Sequence, residues 1–199
     1  MLRKGSLALL LGTVLLIGAL TLLAPPERSL GANVRLVYLH GAWVLTAEVL
    51  LLGAAAAGLL GFVLRRQVLH RWSGALGRSG MVFWITYLPL SLLTMQSNWN
   101  GLFLAEPRFR LAMTFAIAGA LLQTGLWFLH TPVLTSLSNM LFAVALRFAL
   151  SRAQYVMHPP PSPIFGSGLF GVISYFLILL ILACFAGYLL TRLLLEKQS

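Results

Sequence analysis

Four histidines, four glutamates and one cysteine are the side chains with which this 199-residue sequence would have to do any acid–base or metal chemistry; aspartate is absent. Cys184 lies in the apolar run ILACFAG, which excludes a disulfide framework, a CxxC redox pair and a thiolate metal cage. The histidines are His40, His70, His130 and His158. Each can ligate a metal or move a proton near neutral pH, so the question is which of them share one site. That depends on the elements that carry them.

Those elements belong to a membrane protein. Apolar residues make up 59% of the chain and charged ones 9%, against roughly 25% charged in soluble domains, and the mean hydropathy is +0.91. The net charge of +10 punctuates long apolar runs and forms no basic face, so it argues for membrane topology and against a nucleic-acid partner. Crossing about 30 Å of hydrocarbon takes about 20 apolar residues. Six segments qualify, at 6–24, 36–64, 80–96, 111–129, 133–150 and 169–190, the fifth weakened by Ser136, Ser138 and Asn139 and by the tight Thr131-Pro132 junction before it. The predicted fold is an all-α polytopic bundle in a single domain spanning residues 1–199. The first segment follows Arg3 and Lys4 but has no small-x-small cleavage site, and is expected to remain as an anchor.

Short-loop arginines orient the bundle. With both termini cytoplasmic, eight Lys and Arg fall inside and six outside, and RRQVLHRWSGALGRSG, with four arginines and no acid, marks the inside. The expected location is the inner or plasma membrane. Span parity then puts His70 and His130 inside, where a neighbouring carbonyl or a headgroup would satisfy each. His40 and His158 fall together on the outer face, each near arginines and aromatics, an arrangement that axial ligation of a haem iron requires.

The stretch Val34-Arg35-x-x-Tyr38-x-His40, followed by Ala42-Trp43, resembles the V-R-x-x-Y-x-H-V-P-x-A-W segment that opens the second helix of the type C haem-handling member of the cytochrome c assembly family. It is two residues shorter between His and Trp and lacks the Pro. Tyr155-Val-Met-His158-Pro-Pro-Pro is similar to that family's loop before its last helix, and a proline run would present His158 on a stiff, extended backbone. The stretch 98–111, N-W-N-G-L-F-L-A-E-P-R-F-R-L, takes the place of the family's tryptophan-rich outer loop: Trp99 matches the first Trp, Phe103 an aromatic position and Glu106-Pro107-Arg108 the acidic-x-Arg ending, with most tryptophans gone.

The resemblance implies a carrier, not an enzyme. It would hold haem b transiently at the outer face, with His40 and His158 as axial ligands. Trp99 and Phe103 would cover the porphyrin, and some of Arg35, Arg108, Arg110 and Arg152 would pair with its propionates. The implied partners are a haem chaperone or apocytochrome c and ATP-binding-cassette transporter subunits; this chain has no P-loop. The alternative for the loop is an interfacial aromatic belt with headgroup-contacting arginines. The alternative for the chain is a membrane-anchor subunit of a respiratory or photosynthetic electron-transfer complex.

Two further features concern the second span. Glu48 lies eight residues beyond His40, about 12 Å deeper along a helix, and an ionisable group there is either functional or paired. The candidate partners are Thr46 and the Ser and Asn side chains of the fifth helix. Gly53, Gly58 and Gly61 in GAAAAGLLG predict close helix packing.

Overall fold

The computed structural model describes residues 2–28, 30–154 and 163–196, and among them the chain is an all-α membrane bundle. The helices are α1 (Leu2–Leu23), α2 (Val34–Leu64), α3 (Gln67–Trp99), α4 (Pro107–Leu129), α5 (Pro132–Arg152), the single turn α6 (Pro163–Gly166) and α7 (Phe170–Glu196). Five of them, α1, α2, α4, α5 and α7, contain stretches long and apolar enough to cross a membrane. The third expected segment, 80–96, lies within α3, which is long enough to cross but less apolar than these five.

The expected span at 80–96 is the second half of α3, whose 33 residues also include the arginine-rich stretch that reads from sequence as an inner connection. A helix of that length covers about 50 Å. It falls short of the apolarity of its neighbours because it is the helix they enclose: α3 packs against α2, α4, α5 and α7. Small and polar residues such as Ser73, Gly74, Gly77, Ser79 and Gly80 are buried along it. Backbone shielded by other helices tolerates polar side chains at membrane depth, provided that they find partners. Ser73 Oγ donates to Ala54 O at 2.7 Å, and Thr191 Oγ1 donates to Ser79 Oγ at 3.0 Å.

Of the three glycines of α2 expected to pack closely, Gly58 and Gly61 do, and Gly53 has Leu76 at an ordinary 3.8 Å. A Cβ on Gly58 would come within 3.0 Å of Ser136 Cβ, and one on Gly61 within 2.8 Å of the His70 ring. The α4–α5 connection is only two residues long. His130 adopts a left-handed conformation, φ 51°, as the cap of α4, and Thr131 leads directly into Pro132 at the start of α5. Proline suits the first helical position because the N–H it lacks would have no intrahelical partner there. The fifth helix therefore forms in spite of its polar residues. Ser136 and Asn139 are buried against α3, where Ser136 Oγ is hydrogen-bonded to His70 Nδ1 at 2.8 Å and Asn139 Nδ2 donates to Ser73 O at 2.9 Å.

At the opposite end of the bundle, the α1–α2 connection is fastened by Arg35, whose Nε donates to Ala24 O at 2.9 Å. Asn33 Nδ2 donates to Ser97 O at 2.6 Å and ties the start of α2 to the end of α3. These two bonds fix the relative height of the helix ends around the candidate site.

Candidate functional site

A cavity of about 780 Å³ opens at the end of the bundle where α2, α4 and α7 begin and α3 and α5 finish. That volume lies within the range of small-molecule and cofactor pockets. One stripe of α2 supplies Val37, His40, Gly41, Val44, Leu45 and Glu48, spaced three and four residues apart so that all face one way. The facing stripe of α3 supplies Trp84, Tyr87, Ser91 and Thr94, with Trp99 at its end. Arg108 and Phe109 enter from the first turn of α4, Arg147 and Ser151 from the last turns of α5, and Phe165 and Phe176 from α6 and α7.

His40 packs its ring against Tyr87, centroids 5.4 Å apart, and Tyr87 in turn meets Trp84 edge-on at 5.2 Å. Trp84 is buried and its Nε1 donates to Ala112 O at 3.1 Å, which anchors this aromatic wall to α4. Close packing requires the glycine that follows His40. A Cβ on Gly41 would lie 3.1 Å from Phe176 Cε2 and 3.6 Å from Ile164 Cδ1, so a bulkier residue would push α6 and α7 away from the imidazole.

The loop residues divide. Trp99 and Arg108 line the cavity; Phe103 is 42% exposed and Arg110 is exposed, and neither lines it. The cause is local. Glu106 caps α4, its carboxylate accepting from Phe109 N at 2.6 Å, and Pro107 takes the first helical position. The acidic-x-Arg element is thus a helix start that sets Arg108 toward the cavity and leaves Arg110 outside. Arg35 also lies outside it, held on the Ala24 carbonyl. Of the arginines expected to form a clamp, Arg35, Arg108, Arg110 and Arg152, only Arg108 lines the cavity, and Arg147 from α5 lines it beside Arg108.

Arg147 is the partner that sequence reasoning missed for Glu48. Its Nη1 stands 2.8 Å from Glu48 Oε2, with the carboxylate side chain 20% exposed and the guanidinium side chain 53%. Thr46, an expected partner, is instead 3.6 Å from Cys184 Sγ. One signal in the sequence could have found the pair: Glu48 is the sole acid within the second apolar segment and Arg147 the sole cation within the fifth, and opposite charges at membrane depth seek each other. The height along α5 agrees. Asn139 meets α3 at Ser73, and Arg147, eight residues further on, stands about 12 Å nearer the cavity end, level with Glu48.

His158 lies outside the described residues, as does Tyr155. Ser151 and Ile164, which flank that segment in the sequence, both line the cavity. Of the other two histidines, His130 has the carbonyl partner expected of it, its Nδ1 donating to Phe128 O at 2.8 Å, whereas His70 is buried and bonded to the Ser136 hydroxyl. Among the described residues no three of His, Cys, Asp and Glu gather as a metal-ion site. Comparison with protein families, with curated proteins and with solved structures finds no match to this chain.

Proposed function

We propose that the chain is a haem-binding membrane protein of cytochrome c biogenesis, a carrier whose cargo sits in the cavity beside His40. The observation that carries this reading is the convergence of His40, Trp99 and Arg108, from three separate elements, on one cavity of about 780 Å³. His40 would supply one axial nitrogen and His158 the other. Trp84, Tyr87 and Trp99 offer ring faces and edges to a porphyrin, and Arg108 offers a guanidinium to a propionate. Glu48 offsets the charge of Arg147, which limits the attraction for an anionic cargo and suits a carrier that must release it.

In this reading the cavity opens on the outer face of the inner or plasma membrane, where a haem chaperone or apocytochrome c would receive the cargo, and ATP-binding-cassette transporter subunits would be further partners. The arginine-rich opposite end supports that orientation.

The test is an absorption spectrum of protein purified in mild detergent from haem-replete cells. A Soret band is expected, with His40→Ala and His158→Ala each losing haem while the helical circular dichroism is kept. Absence of the band, or unchanged spectra in both variants, would overturn the proposal and favour the membrane-anchor reading.

A further inference from the structure

We propose that a second cavity, at the opposite end of the bundle, binds a phosphate group, and that its source is the headgroup of an anionic phospholipid. This cavity has a volume of about 740 Å³ and lies among α3, α4 and α5, closed on one side by Leu194 of α7. Arg71, Arg78 and His130 line it together with the hydroxyl-bearing Thr124, Thr131 and Thr135.

Among the described residues no carboxylate lines it, and neither arginine forms an ion pair. Both arginines are half-buried. Arg78 lines the cavity with its Nε donating to Gly74 O at 3.2 Å, and a Cβ on Gly74 would lie 3.9 Å from Arg78 Nη2. Two partly desolvated guanidinium groups without a counter-charge favour an anion strongly, and their planar forks suit phosphate oxygens.

The surroundings select the lipid. The cavity lies at the α4–α5 turn, beside Trp127 and Leu129, which are 58% and 60% exposed on the apolar outer surface of the bundle. A phosphate held by Arg71 and Arg78 would leave acyl chains free to run along that surface. Basic pockets between helices at a membrane surface take anionic headgroups in this way. The site does not depend on what the His40 cavity holds.

Native mass spectrometry of the intact protein, extracted from mixed phosphatidylglycerol and phosphatidylcholine, tests the proposal. Wild type is expected to retain phosphatidylglycerol in preference. Arg71→Gln and Arg78→Gln should each weaken retention about ten-fold, the order of one charge-assisted hydrogen bond. Arg192→Gln removes an equal charge from the same end outside the cavity, and should change little. Arg78→Lys keeps the charge and serves if Arg78→Gln does not fold. Displacement of the lipid by millimolar glycerol phosphate would uphold the phosphate site and overturn the lipid as its source. Equal retention of both lipids, or equal loss in the Arg192 variant, would overturn the proposal altogether.

Discussion

The two cavities are alike in size and differ in how their charge is balanced. The His40 cavity holds both signs, with Glu48 against Arg147 and Glu106 beside Arg108, within a wall of aromatic rings. The cavity lined by Arg71 and Arg78 holds only cations among its described charges, and behind it lies a neutral network in which Gln123 Nε2 donates to Asn139 Oδ1 at 2.7 Å and Asn139 reaches Ser73. One end pairs charge within the fold, and the other, among the described residues, does not. Helices α3, α4, α5 and α7 contribute to both, so the difference comes from which residues occupy successive turns.

The largest expected effect is at the neutral network. A Cβ on Gly77 would come within 2.6 Å of Asn139 Nδ2, so Gly77→Val must displace Asn139 and leave buried polar groups unsatisfied. Overpacking and a lost buried bond together should cost about 3 kcal/mol or more, read as a lowered midpoint of thermal unfolding in detergent. An unchanged midpoint would mean that the network does not hold the helices together. Next comes the ion pair. Arg147→Ala should cost about 1–2 kcal/mol, less than a fully buried pair because the guanidinium is half exposed. Adding Glu48→Gln should recover most of it in a double-mutant cycle. Simple additivity would show that the pair is not coupled.

Much of this architecture is legible in the sequence because it follows from local rules. Apolar run lengths locate α1, α2, α4, α5 and α7, the small residues of α2 announce close packing, and span parity separates His40 from His70 and His130. What is not legible depends on tertiary context. The low apolarity of α3 makes its first half read as a connection, although enclosure by four helices makes that composition tolerable. Side of the membrane alone groups Arg35 and Arg110 with Arg108, whereas the Ala24 carbonyl and the register of α4 direct them elsewhere. The pairing of Glu48 with Arg147 joins residues 99 positions apart, which no local pattern contains.

The smallest effects sharpen the comparison most, because they separate the cavity from the belt around it. Phe103 and Arg110 belong to the same loop motif as Trp99 and Arg108 yet lie outside the cavity. Truncating exposed side chains away from packed or paired groups changes stability by no more than about 0.5 kcal/mol, so Phe103→Ala and Arg110→Gln should leave both the unfolding midpoint and haem retention at wild-type levels. Arg108→Gln, two residues from Arg110 on the same first turns of α4, should instead weaken haem retention about ten-fold through loss of a charge-assisted bond. Equal losses at Arg108 and Arg110 would point to long-range attraction by the whole loop, since a contact bond falls off with direction and a diffuse field does not.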